Sequence, residues 1–402
     1  MNFVASILFI SSSILFFFIS TTVAVVAVNG TFSVSDFKAV SNGKVDSTAA
    51  FADTWTAACN YTGPTAKFVV PKGAYLVGPV AFSGPCTAKM VIQIDGRIIA
   101  PAVLKTMPEK PNNWIMFERL AGMLITGNGS FNGMGADTWP KNKRNGKVFP
   151  TNIQFSFIND STVEGISSID SRMFHIMVYK CVNLKLTKLT ITAPETSPNT
   201  DGVHIGLSDG VTITDTAIKT GDDCVSIGPT NSRITVTGVK CGPGHGISVG
   251  SLGKYKDDKD VTDILVKTCK FHLTMNGVRI KTWSESFPLI CKNYTFDDII
   301  MSSVENPIII DQQYCPAGNC PKTTSSKVKI TDIKFSNIKG TSTLPVAIKL
   351  LCSKSNPCTG LSFEKIQLKN KVGGAVANST CENVVKPTII GVVKPALNCT
   401  TV

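Results

Sequence analysis

Charge is scarce in this chain: Asp, Glu, Lys and Arg make up 17% of its 402 residues. That scarcity excludes a disordered polyelectrolyte, because it is joined to 43% hydrophobic residues and plentiful β-branched ones. Histidine is scarcer, four in all, and no Cys-x-x-Cys pair occurs, so the usual structural zinc patterns are absent. Past the first 28 residues there is no apolar run of membrane-spanning length. Helical periodicity is missing between the short apolar runs that fill the chain, which excludes βαβ architectures. Hairpin signals are missing too, and immunoglobulin-like sandwiches need them.

What is present begins with a leader. Residues 1–28 carry no charged side chain, and the apolar stretch from Ile7 to Val28 is broken by Ser11-Ser12-Ser13. Small residues at Ala24 and Ala27 offer cleavage sites, so residues 1–27 read as a secretory signal rather than an anchor. Residues 28–402 are then one domain, secreted, extracellular and off the membrane after cleavage. Export permits disulfides among the 13 cysteines. Close spacing pairs Cys224–Cys241, Cys315–Cys320, Cys352–Cys358 and Cys381–Cys399, with Cys59–Cys86 a fifth. Cys181, Cys269 and Cys291 remain as candidates for free thiols. Asn-x-Ser/Thr sequons at Asn29, Asn60, Asn128, Asn159, Asn293, Asn378 and Asn398 fit a glycoprotein. The formal charge of +12 calls for a polyanionic partner. Export and dispersed lysines favour an acidic polysaccharide over nucleic acid.

The apolar runs repeat. A pattern with apolar residues at positions 1, 3 and 6 recurs at Leu184, Val211, Ile234, Ile264, Tyr294, Val328 and Leu361, at spacings of 27, 23, 30, 30, 34 and 33 residues. Short second strands follow, beginning at Gly202, Cys224, Gly246, Gly277 and Pro307. Two or three strands per repeat predict a parallel β-helix, an all-β solenoid in which each repeat is one coil. Phe51, Trp55 and Cys59 at i, i+4 and i+8, behind Ser47 as N-cap, predict a helix closing the N-terminal coil. Residues 135–150 read as a long surface loop beside a cleft, and the tail from Gly373 as a cover for the last coil.

Register turns scattered polar residues into columns. If Val203, Val225, Ile247, Val278 and Ile308 are equivalent, the position two residues earlier reads Asp201, Asp223, His245, Asn276, Asn306. The position one residue later reads His204, Ser226, Ser248, Arg279, Ile309, and three later Gly206, Gly228, Gly250, Lys281, Asp311. Strands stacked about 4.8 Å apart make Asp201 and Asp223 neighbours, with His245 one coil on. Asp222 adds a third carboxylate at the bend, and the three glycines leave room over the wall. Crowded carboxylates repel, so at least one should hold a proton near neutrality, as glycosidic bond cleavage requires. Calcium is the rival use of clustered Asp, opposed by the nearby Arg279 and Lys281.

In order and spacing, Asn199-Thr-Asp201, Gly221-Asp-Asp223, Gly244-His-Gly246 and Arg279-Ile-Lys281 resemble the signature of the plant polygalacturonases, the pectin-degrading glycoside hydrolases. The resemblance covers about residues 33–402 and is strongest to the pollen-type exo-acting group. It implies a right-handed β-helix and inverting hydrolysis of α-1,4-linked galacturonan in the plant cell wall, by a monomer, without metal or cofactor. It implies Asp222 as general acid, Asp201 and Asp223 as the groups acting on water, and His245 as their tuner. Arg279, Lys281, Tyr314 and Asn199 would bind substrate. Carboxylates about 5 Å apart ordinarily accompany retention, so inversion rests on the resemblance alone. Endo action, a rhamnogalacturonan hydrolase and a non-catalytic wall-binding β-helix are the alternatives; a calcium-dependent lyase would give unsaturated products.

Overall fold

The computed structural model describes residues 30–102, 113–141, 149–316, 318–320, 325–371 and 376–399. The predicted signal segment, the Asn29 sequon and part of the 135–150 loop lie outside them. Short strands alternate buried and open positions and pair in parallel with strands one repeat away, as a stack of coils demands. Each coil contributes to two outer ladders and to a third. The third runs through strands such as Asn113–Glu118, Thr151–Ser156, Ile176–Tyr179, Val203–Gly206, Val225–Ile227, Ile247–Leu252, Asn276–Trp283 and Asn306–Tyr314. From Ile290–Val304 onward the two outer ladders fuse into continuous long strands.

Inward side chains stack on their counterparts in the next coil. Phe296, Phe335 and Phe363 are register partners with ring centroids 5.1 Å apart at each step. Phe82, Phe117 and Phe155 repeat the arrangement at 5.0 and 5.5 Å. Such stacks fix register, because a slip would break each ring contact. The 1-3-6 pattern holds this register through Tyr294. There it fails by five residues: the partners of Tyr294, Phe296 and Ile299 are Ile333, Phe335 and Ile338, not Val328, Ile330 and Ile333. Val328, Ile330 and Ile333 have the same apolar spacing, so the pattern is degenerate, and the register follows the phenylalanine stack instead.

The capping helix α1 spans Thr48–Cys59, with Phe51, Trp55 and Cys59 buried over the first coils. Trp55 meets Phe68 and Phe82, its Nε1 donates to the Ser83 carbonyl, and Cys59 is bonded to Cys86. Ser47 stands at the N-cap position but does not cap. Its hydroxyl accepts from Val40 N, while Asp46 receives the Thr48 amide. The C-terminal tail also differs from expectation. Asn378–Glu382 and Thr388–Lys394 continue the ladders, so the tail is the last coil and not a lid over it.

All five expected disulfides are present, and Cys181, Cys269 and Cys291 are buried free thiols. Burial holds Cys269 and Cys291 up at about 12, which leaves them unreactive. Asn60, Asn128, Asn159, Asn293, Asn378 and Asn398 are exposed, as glycan acceptors must be. Among the described residues no helix is long and apolar enough to cross a membrane.

Candidate active site

Val203, Val225, Ile247, Val278 and Ile308 are successive register partners, so the polar columns stand as counted. The acids sit where each coil turns into the third ladder. The turns are locked by backbone bonds between coils: Gly202 N to Asp223 O, 2.9 Å, and His245 N to Asp222 O, 2.8 Å. Gly246 has φ +92°, and a Cβ there would lie 2.2 Å from the Asn276 carbonyl oxygen. Only glycine lets the coils approach that closely, which accounts for the residue after His245.

Asp223 is the buried hub, its side chain 2% exposed. Lys281 Nζ donates to its Oδ2 at 3.0 Å, and the Arg279 guanidinium to its Oδ1 at 3.0 Å. Ser248 Oγ also donates to Oδ1, at 2.8 Å, while accepting from Arg279 Nε at 3.0 Å. Asp201, one coil back and buried, takes a 2.6 Å bond from Ser226 Oγ, itself 2.8 Å from His204 Nδ1. Asp222 is the most open of the three, with its side chain 23% exposed. Its Oδ1 lies 3.1 Å from His245 Nδ1 and accepts the Asp223 amide at 2.8 Å. Its Oδ2 makes no bond to the described residues.

These environments separate the acids. Burial, reinforced by the charges of Asp222 and Asp223, pushes the Asp201 carboxyl well above the ordinary range. Burial pushes Asp222 the same way, but the hydrogen bond and charge of His245 outweigh it and leave that carboxyl lowered. For His245 burial acts downward and Asp222 prevails, so the imidazole is raised. Burial holds His204 down at about 4, so its ring is neutral. The acid that burial and crowding push toward its protonated form is therefore Asp201, while the contact between Asp222 and His245 favours a carboxylate facing an imidazolium.

One ligand atom each from Asp222, Asp223 and His245 lies within 4.8 Å of the others, so a cation could be reached by three groups. Both Asp223 oxygens already face cationic nitrogens, and His245 Nδ1 faces Asp222. A divalent ion would displace those bonds and sit against Arg279 and Lys281.

The sequence-predicted residues converge, with two differences of detail. Arg279 and Lys281, expected to face a substrate carboxylate, are counter-ions of Asp223 and keep only their remaining donors for a ligand. Gly250 does not clear space: a Cβ there would lie 2.1 Å from the Lys281 carbonyl oxygen, so this glycine admits the neighbouring backbone. Gly206 does open onto empty space. Asn199 stands in the turn before Asp201 with φ +54°, and Tyr314 lies with its ring centroid 5.4 Å from Lys281 Nζ. Ser226, Ser248 and Thr200 were not singled out. Thr200, fully buried, accepts the Gly221 amide at 3.0 Å and so joins the Asp201 turn to the Asp222 turn. Their signal was position alone: the two serines stand in the column that leads to Arg279, and Thr200 stands between Asn199 and Asp201.

A coiled parallel stack with carboxylates, imidazole and cations along one ladder defines a polysaccharide-cleaving class of enzyme. Residues 59–390 match the glycosyl hydrolases family 28, and the chain belongs to that family. It is therefore a glycoside hydrolase. It is 45% identical over 373 residues to an exopolygalacturonase of Platanus acerifolia, covering 92% of this chain and 97% of the relative. It is 43% identical over 359 residues to an exopolygalacturonase of Zea mays (88% and 87% covered). A polygalacturonase of Gossypium barbadense is 43% identical over 366 residues, covering 90% and 89%. The fold is similar to those of an endo-xylogalacturonan hydrolase from Aspergillus tubingensis and an exopolygalacturonase from Thermotoga maritima. The first has a TM-score of 0.78 at 21% identity, with 92% of this chain and 99% of that one covered. The second has a TM-score of 0.74 at 17% identity, with 90% and 92% covered.

Proposed function

We propose that this hydrolase cleaves the α-1,4 bonds of galacturonan, the acidic backbone of pectin, with inversion, releasing galacturonate from chain ends. The observation that carries the chemistry is the opposite push on two adjacent acids, Asp201 raised by burial and Asp222 lowered, against burial, by His245, beside an Asp223 held by Arg279 and Lys281. Asp222, whose Oδ2 is open, protonates the glycosidic oxygen as the C–O bond breaks. Its proton is supplied through His245, as an anionic sugar over the site makes the ionised carboxylate costlier. Asp201, the acid with the raised pKa, is the strongest base of the set once ionised. With Asp223 it orients the attacking water and takes its proton. Water supplies hydroxide to one fragment and a proton to the other, so one water is consumed per bond. Arg279, Lys281, Tyr314 and Asn199 bind the sugar and its carboxylate.

Asp201 is a second candidate for the acid, because burial and its two carboxylate neighbours favour its protonated form. An aryl α-galacturonide with an acidic leaving group separates the two readings, since such a bond breaks without protonation. Asp222→Asn should lose at least about 100-fold on galacturonan yet retain turnover of the aryl substrate, while Asp201→Asn loses both. The reverse pattern would exchange the roles. Proton NMR of the first-formed anomer reads the stereochemistry, and product chain length over time reads exo against endo action. The five disulfides belong to an oxidising compartment. Sequence adds the finer reading: residues 1–27 are a signal segment, and residues 28–402 act in the plant cell wall as a monomeric catalytic domain.

A further inference from the structure

The acids occupy the start of the third ladder, whereas an aromatic strip occupies its end. Trp283 and Tyr314 close successive strands as register partners, with rings edge to face at 5.5 Å. Lys281 Nζ lies 5.4 Å from the Tyr314 centroid at one end of the strip. At the other, Lys254 Nζ lies 5.2 Å from the centroid of Trp283 and 5.2 Å from that of Tyr255. Two ammonium groups therefore flank one continuous run of rings.

Their partners differ. Lys281 is committed to Asp223. Lys254 is exposed and makes no ion pair with a carboxylate among the described residues. Of the acids on its own loop, Asp258 accepts the Tyr255 amide and Asp260 accepts the Ile290 amide. An ammonium held between two ring faces is already ordered, so little side-chain freedom is lost when an anion arrives. Tyr255 is 57% exposed, leaving ring surface for the apolar face of a pyranose.

Building on the proposed action on galacturonan, we propose that Lys254, Tyr255 and Trp283 form a second uronate subsite. It binds the carboxylate and ring face of the sugar next beyond the one held at Arg279, Lys281 and Tyr314, on the side away from the scissile bond, where a disaccharide spanning that bond does not reach. The ligand class is a carboxylated hexopyranose within a chain. A neutral or methyl-esterified sugar would satisfy the rings and leave the ammonium without its partner.

Lys254 is exposed and outside the acid cluster, so its replacement leaves fold and chemistry intact. Lys254→Ala should raise KM for trigalacturonate and polygalacturonate about tenfold, the loss of one charged contact, with kcat near wild type and digalacturonate unaffected. Lys254→Arg should restore most of the affinity, and added salt should erase the difference between wild type and Lys254→Ala. Unchanged KM on all three substrates overturns the subsite. So does an equal rise on digalacturonate, which would mean that Lys254 acts by propping Trp283 and Tyr314. Calorimetric titration with trigalacturonate reads the same difference without turnover. If the wild type binds but does not cleave, the reading of the acids fails and the subsite stands.

Discussion

Asp201 is buried against two other carboxylates, and its electrostatics work against the folded state. Its carboxyl is raised above the ordinary 3.8 by burial first and by Asp222 and Asp223 next. A group raised in the folded protein contributes fully below its unfolded pKa, and that contribution is lost as pH climbs through the folded value. Asp201→Asn keeps an acceptor for Ser226 and removes the titration. The variant should therefore lose less thermal stability than wild type as pH rises above 3.8, while being inactive on galacturonan. Parallel melting curves across that range would show that Asp201 is not strained. The Asp222–His245 pair has the opposite sign on its acid side: lowered Asp222 loses its contribution as pH falls below 3.8, and raised His245 loses its own as pH rises past 6.5. The chemistry-bearing residues were legible because Asp, His, Arg and Lys are rare inside apolar strands. Ser226, Ser248 and Thr200 were not, because a hydroxyl in a strand or turn looks the same whether it faces water or holds a carboxylate or an amide. That Arg279 and Lys281 face Asp223 could not be read either, since a column gives neighbours and not the direction of a side chain.

At the level of elements, the turns into the third ladder do what loops do in other enzymes, but with almost no slack. Gly246→Ala would set a Cβ 2.2 Å from the Asn276 oxygen at φ +92°. Coils on either side would have to part, moving His245 relative to Asp222. The expected result is a stability loss of about 2 kcal/mol by denaturant titration and a fall in kcat larger than that loss explains. A variant with full activity would mean the turn can relax. Strand positions were readable from Leu184 to Tyr294 because the repeats there are short and uniform. Beyond Tyr294 the segment containing Cys315–Cys320 lengthens a repeat, and the next partner of Tyr294 stands 39 residues on. An apolar pattern has no means of choosing between two starts five residues apart; ring stacking does. The Ser47 cap failed for a comparable reason, since its hydroxyl is used by the incoming chain at Val40.

Across the whole molecule, stability is distributed coil by coil, because each coil touches chiefly its two neighbours. The last coil has one neighbour, and its strand Thr388–Lys394 leaves Ile389, Ile390 and Val392 exposed. Cys381–Cys399 ties this coil together. Replacing both cysteines by serine should speed hydrogen exchange in residues 378–394 while leaving exchange around Asp222 and the turnover rate unchanged. Slowed turnover would mean that the stack unfolds as a unit. The overall architecture was the most legible level, since a repeat of strands with no helices between them has few solutions. Closure at the C-terminus was not, because a final coil and a separate cover have the same composition.

The fixed step from coil to coil has a consequence for how such a groove can change over time. Residues inserted within a turn swell outward and leave the ladder neighbours in register, so they alter the walls of the groove without altering its pitch. Gain or loss of a complete coil instead moves every contact beyond it by one whole strand spacing. Between Asp201 and Lys281, where three acids, an imidazole and two cations occupy four consecutive coils, no such quantum of change could be tolerated. Toward either end it could, making chain-length preference a trait that shifts in discrete jumps around an unalterable middle.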